Sequence, residues 1–281
     1  MNLLIPVIIL IILILIIITL DPNKYCEYEE PFNVIKSEDF KVPKIIWTYW
    51  DTNVIPEIVK LCQMNWKKFA PNYQINLVTK ETAENWVQMP LNWKLLPPYR
   101  QSDIFRLLAL AKYGGIWMDA STILLKNPDS FISPNNITLF TTPSSSPKNP
   151  VFENWFISAP PQNYLMKLWS DETILALQNK RQYTNNSSQH NKSAVGNYNY
   201  LICHLVLKNI QDKHKNLFDN IKIYDSNKTS FYYHDKYNWK NLSVNLLKDN
   251  YDPETLMVKF RGSDRRNMNI NDFRKKIMDY I

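Results

Sequence analysis

Apolar positions along this chain follow two periods, and the period changes at each proline or glycine break. The first apolar run is Leu3–Leu20, LLIPVIILIILILIIITL, which carries no charge. At a helical rise of ~1.5 Å per residue it spans roughly 27 Å, close to a bilayer's hydrocarbon thickness. It lacks the basic start and the small residues of a cleaved signal peptide, so it predicts an uncleaved single-pass anchor over residues 1–21. Residues 22–41 are polar and acidic and predict a stem. Residues 42–281 carry the alternation of one folded domain.

Pro43–Trp50 is β-branched and aromatic and predicts a buried strand. Pro56 opens a helix whose apolar face is Ile58, Leu61, Cys62, Trp66 and Phe69, and Pro71 closes it. Tyr73–Val78 alternates as a strand, Glu81–Gln88 predicts a short helix, and Pro97-Pro98 breaks the chain. Ser102 then has the character of an N-cap, with Leu107, Leu108, Leu110 and Ala111 forming an apolar face behind it. Two of the chain's four glycines, Gly114 and Gly115, follow side by side. The first ends the helix and the second turns the chain into the strand Ile116–Met118, with Asp119 where that strand emerges. Further strands are predicted at Thr122–Leu125, Thr138–Thr142, Val151–Ala159, Ile221–Tyr224 and Leu256–Phe260. Helices are predicted at Tyr164–Leu177 and Tyr198–Ile210, with a flexible loop over residues 180–196 and a basic, polar tail after residue 260. Alternating strands and helices predict an α/β sandwich with a largely parallel sheet, whose ligands gather at the strands' carboxyl ends.

Composition narrows the partners. Lys and Arg number 33 against 26 Asp and Glu, a net charge of +7 that suits a nucleoside diphosphate or an acidic lipid surface. No basic run with interleaved aromatics occurs, which speaks against nucleic acid. Aromatics at 13% exclude a disordered chain and serve core packing as readily as sugar stacking. Cys26, Cys62 and Cys203 have no metal-binding spacing, and one disulfide is open to them. Sequons at Asn136, Asn185, Asn186, Asn191, Asn227 and Asn241 point to a secretory lumen, while Lys24 after the apolar run points the other way. The histidines, at 190, 204, 214 and 234, are scattered, and none is well placed as a general base.

Asp103 and Arg106 lie three apart on the predicted helix and share a face. A carboxylate and a guanidinium displayed together can clasp sugar hydroxyls, one accepting and the other donating. Asp119 at a strand end can hold a divalent ion that bridges a diphosphate. Singly, each residue also serves as a surface ion pair or a turn residue.

The combination is more specific. SDIFRLLALAKYGGIWMDAS, Ser102–Ser121, resembles the DxD-containing glycosyltransferases: capsular polysaccharide synthesis proteins, yeast-type initiating mannosyltransferases and glucosylating clostridial toxins. PKIIWTYWD, Pro43–Asp51, is similar to that family's first strand, and FENWFISAP, Phe152–Pro160, to the strand after the motif. The resemblance implies a GT-A-like nucleotide-sugar-binding sandwich and transfer of a hexose from a UDP- or GDP-sugar to a glycan or other hydroxyl acceptor, with retention. It implies that Asp103, Arg106 and Asp119 act in catalysis, that Asp119 binds Mn²⁺ or Mg²⁺, and that Trp47 stacks on the base. Ser102, Trp117, Ser121 and Asn154 would bind substrate, and Lys259 and Arg261 would reach the diphosphate. It further implies a lumenal enzyme of the Golgi or endoplasmic reticulum, held to membrane lipid through residues 3–20. Ser121 stands where the motif's second acid usually does, as in the capsular branch, so metal affinity falls unless another acid, such as Asp264, substitutes. The alternative is an inactive relative that binds nucleotide sugars or glycans.

Overall fold

The computed structural model describes residues 40–143, 145–240, 242–248, 252 and 254–280. The predicted anchor, residues 22–39 of the predicted stem, Cys26 and the sequon residue Asn241 lie outside the described residues. Among the described residues no helix is long and apolar enough to cross a membrane.

The strands are β1 (Ile45–Trp50), β2 (Gln74–Thr79), β3 (Gly115–Met118), β4 (Thr122–Leu124), β5 (Thr138–Phe140), β6 (Phe156–Ala159), β7 (Lys222–Tyr224) and β8 (Met257–Lys259). Six of them form one sheet in the order β2-β1-β3-β6-β5-β7, and β4 pairs with β8 apart from it. β1 runs parallel to β2 and β3, and β5 parallel to β7, while β6 runs antiparallel to both of its neighbours. The sheet is therefore mostly parallel, as the alternation predicts, with β6 as the reversed strand.

Helices α1 (Glu57–Phe69), α2 (Pro98–Tyr113), α3 (Tyr164–Gln178), α4 (Ile202–Lys213), α5 (Gly262–Arg266) and α6 (Ile270–Tyr280) surround these strands. Side chains alternate along β1 and β3, which divides the core in two. Ile46, Ile116 and Met118 pack with Leu61 and Trp66 of α1 and Phe273 of α6. Trp47 and Trp117 enter the other core, with Phe105 of α2, Met166 of α3 and Leu205 of α4. Cys62 and Cys203 are free thiols in opposite cores, so no bridge joins them. Burial pushes both thiols up to about 12.

Three local expectations change. Pro97-Pro98 does not break the chain. Pro97 caps α2 and Pro98 is its first residue, where a missing N–H costs nothing. Ser102 therefore lies inside α2 rather than at its cap. Residues 180–196 form two short helices, Lys180–Asn186 and Gln189–Val195, instead of a loop. The basic tail folds as α5 and α6, the latter burying Phe273 and Ile277 one turn apart.

The glycine pair behaves as the sequence predicts. Gly114 caps α2 with φ +64° and Gly115 has φ +98°, both costly for other residues. A Cβ on Gly115 would stand 2.7 Å from the Ile45 carbonyl oxygen, so β3 can approach β1 only without one.

β4 has one strand neighbour, and α1 satisfies its free edge. The buried Asn65 side chain accepts from Leu124 N at 2.7 Å and donates to Leu124 O at 3.0 Å. Trp66 Nε1 donates to Thr122 O at 2.7 Å. This clamp fixes the segment that leaves Asp119, Ala120 and Ser121.

Candidate active site

A cleft of about 630 Å³ opens beyond the carboxyl ends of β1, β3 and β8, beside the first two turns of α2. Its size suits a small-molecule ligand. Asp103, Arg106 and Asp119 all line it. Arg106 Nη2 lies 3.5 Å from Asp103 Oδ1 and 3.4 Å from Asp119 Oδ1, so one guanidinium bridges the two carboxylates. Arg100, one turn before Asp103, adds a second guanidinium at 3.2 Å from Asp103 Oδ2.

Each acid is held from behind. Asn154 Nδ2 donates to Asp103 Oδ1 at 2.9 Å, and the Asn154 carbonyl accepts from Arg106 Nη1. Ser102 Oγ accepts from Arg106 Nη2 at 3.0 Å, so its part is to steer that guanidinium. Trp117 Nε1 donates to Asp119 Oδ1 at 3.1 Å, and the Trp117 ring lies under Arg106, 4.8 Å from its guanidinium carbon. Lys259 Nζ donates to Asp119 Oδ2 at 2.6 Å. Burial alone would raise the Asp119 carboxyl, but the charges of Lys259 and Arg106 outweigh it and hold the group below the usual carboxylate range. Burial draws Lys259 below the usual lysine range, against the upward pull of Asp119.

Two predicted residues stand apart from the cleft. Trp47 is 1% exposed; its Nε1 donates to Gly114 O at 2.9 Å and its ring stacks on Tyr113. β1 is covered on both faces, and the alternation turns Trp47 into the core rather than toward a base. Trp117 is likewise buried and acts on Asp119 rather than on the cleft surface. Ser121, Asn154, Lys259 and Arg261 border the cleft.

The residues present do not fit a preformed divalent-cation site. Asp119 gives both carboxylate oxygens to N–H donors. Ser121 Oγ donates to Phe260 O and accepts from Arg265 Nη1. Asp264 cannot substitute, because it is buried and accepts from Arg261 N and Nε and pairs with His234 Nε2. Those partners hold its carboxyl far below the usual range. Among the described residues no three His, Cys, Asp or Glu side chains form a metal-sized group.

Sequence reasoning missed several groups in or behind the cleft. Arg100 would have been legible, three residues before Asp103, had the helix been started at Pro98. Tyr99 and Tyr200 meet at the rim with ring centroids 5.0 Å apart, one on each side of the chain's midpoint, and no local pattern joins them. His204 lines the cleft too, with Nε2 3.4 Å from Glu153 Oε2, a place that its scattered position in the sequence does not signal. Asn191, read as a sequon, is 3% exposed and donates to Asn209.

An α/β sheet with a charged cleft beyond the carboxyl ends of parallel strands defines the class: a ligand-binding α/β domain built to grip a polar, charged molecule. The chain belongs to the capsular polysaccharide synthesis protein family, which matches residues 22–254. It is 32% identical over 92 residues to inositol phosphoceramide mannosyltransferase 3 of Schizosaccharomyces pombe, covering 31% of this chain and 26% of that protein. It is 31% identical over 108 residues to the initiation-specific alpha-1,6-mannosyltransferase of Saccharomyces cerevisiae, covering 34% of this chain and 22% of that protein. The chain thus spans about a quarter of the length of these relatives. Among solved structures, the PaToxG glycosyltransferase superposes with a TM-score of 0.45 at 15% identity, over 86% of this chain and 90% of that one.

Proposed function

We propose that the protein is a glycosyltransferase that moves a hexose from a nucleoside diphosphate sugar to a hydroxyl of a glycan or similar acceptor, with retention. The observation that carries this reading is the bridge of Arg106 between Asp103 and Asp119 on one cleft. Acid, guanidinium and acid in a row offer acceptors and donors at the spacing of neighbouring sugar hydroxyls. In this reading Asp103 and Arg106 grip the donor hexose, Asp119 holds the ribose, and Lys259 and Arg261 face the diphosphate. The bond from the anomeric carbon to the diphosphate oxygen breaks, and the electron pair leaves with the diphosphate. The acceptor oxygen bonds to that carbon on the same face and passes its proton to the departing phosphate. The Tyr99–Tyr200 pair gives the acceptor an aromatic rim to lie on. Residues 3–20 would anchor the enzyme to membrane lipid, facing a Golgi or endoplasmic reticulum lumen.

The similarity to two mannosyltransferases favours a mannose donor. The test is incubation of the purified protein with a panel of UDP- and GDP-sugars. Hydrolysis or transfer from one donor, lost in Asp119→Asn, is the expected result. Ser121 in the motif's acid position favours a second reading, a relative that binds nucleotide sugars without turnover. Saturable donor binding with no product over long incubation would support it.

A further inference from the structure

We propose that Lys259 and Arg265 take the place of a divalent cation, so that these two side chains, and no metal ion, hold the donor diphosphate and neutralise its leaving charge. The inference rests on the glycosyltransferase reading of the cleft.

The geometry is specific. A cation-dependent site of this shape needs anionic oxygens free on the segment Asp119–Ser121. Lys259 Nζ instead sits 2.6 Å from Asp119 Oδ2, and Arg265 Nη1 2.9 Å from Ser121 Oγ. The two positions at which a DxD pair would grip a metal each carry a basic side chain. A divalent ion entering here would displace Lys259 and lie beside Arg106 and Arg265, with like charges on several sides.

Both basic groups are built in. Lys259 is 9% exposed and lies on β8, in register with Thr122 of β4. Arg265 comes from α5, one short turn later, and its guanidinium carbon lies 5.8 Å from the centre of the Trp50 ring. Among the described residues no carboxylate pairs with Arg265, so its charge is available to a ligand. Arg261, the third cation nearby, is tied to Asp264. An ammonium with spare N–H groups and an available guanidinium fork match the oxygens of a diphosphate. They would stabilise the charge that reaches the leaving group when the anomeric bond breaks.

The experiment is calorimetric titration of the purified protein with UDP and with GDP, in excess EDTA and again with Mn²⁺ or Mg²⁺. The expected result is that one nucleotide binds equally well with and without the cation, and more weakly as salt rises. Lys259→Ala and Arg265→Gln should each weaken that binding by about ten- to a hundredfold. Arg265 is partly exposed, so Arg265→Gln keeps the test decisive if Lys259→Ala fails to fold. Binding seen only with the cation overturns the inference and leaves the glycosyltransferase reading standing. Undiminished binding in Arg265→Gln overturns it as well. No binding of any nucleotide or sugar nucleotide, with or without cation, overturns the reading of the cleft and this inference together.

Discussion

Asp103→Asn is the sharpest probe of the charge row beneath the cleft. The side chains of Arg100, Asp103 and Arg106 are 5%, 10% and 5% exposed, so three charges lie out of water in a line. Removing one partner of a buried ion pair costs ~3–5 kcal/mol, because the other charge is left uncompensated. Arg106 keeps Asp119 at 3.4 Å, whereas Arg100 keeps the uncharged Asn199 carbonyl at 2.8 Å and the Tyr99 ring at 4.9 Å. The loss should therefore fall near the lower end, ~3 kcal/mol. For a domain of this size that lowers Tm by roughly 6–12 °C. Urea unfolding followed by tryptophan fluorescence measures the change directly. The double variant Arg100→Met with Asp103→Asn removes the stranded guanidinium and should recover more than half of the loss. A change below ~1 kcal/mol in the single variant would mean that the row is solvated rather than buried and that Arg100 is not stranded. Failure of the second substitution to restore stability would place the cost elsewhere than in the stranded charge.

Other substitutions test separate parts of the structure. Gly115→Ala should destabilise the protein by at least ~3 kcal/mol, since it adds a strained φ to a 2.7 Å approach to Ile45 O; a stable, soluble variant in a thermal melt would refute this. Trp117→Phe keeps a ring under Arg106 but removes the N–H on Asp119 and leaves a gap in the core, so Tm should fall and kcat/KM of the folded fraction should drop by about tenfold. Tyr200→Ala should raise the acceptor KM and leave kcat and donor binding unchanged, as steady-state kinetics would report. Burial lowers His234 from its ordinary 6.5 even though Asp264 opposes the shift, so the folded protein resists taking the proton that the unfolded chain accepts. Its contribution to stability is fully present above pH 6.5 and is lost as pH falls through the lower folded value. Asp119 and Asp264 add a second stage, present above 3.8 and lost as pH falls through their lower folded values. His234→Gln should flatten the first stage in urea midpoints measured between pH 8 and 5, and an unchanged slope would show that His234 titrates normally.

The reach of the sequence followed the range of the interactions. From Asp103 to Asp119 the site is made by one helix, one glycine pair and one strand, all written in adjacent residues. Spacing puts Asp103 and Arg106 on one helix face, and the resemblance of Ser102–Ser121 to a known family implies that Asp119 joins them. Pro97-Pro98 has the composition of an interruption yet opens α2, because proline fits a first turn well. Trp47 carries no sign of its side in the sequence, because a strand covered on both faces gives every residue the same apolar character. The partners at Ser121 and Asp119 depend on a ladder between β4 and β8, whose residues are more than a hundred positions apart. No local period reports such a pairing. Phe273 and Ile277 did carry a helical signal in the tail, but charge around them masked it.

The late arrival of β8 has a consequence for biosynthesis. A ribosome can finish α2, β3 and the Asp119 turn while the side chains that complete the site are still untranslated. The nascent protein then holds a half-built cavity, with Asp119 already beside Arg106 but lacking Lys259, and Ser121 lacking Arg265, until β8 and α5 have emerged. A chain cut short before β8 would also leave β4 without its strand partner, so the cleft is walled on that side only once both strands of the ladder exist.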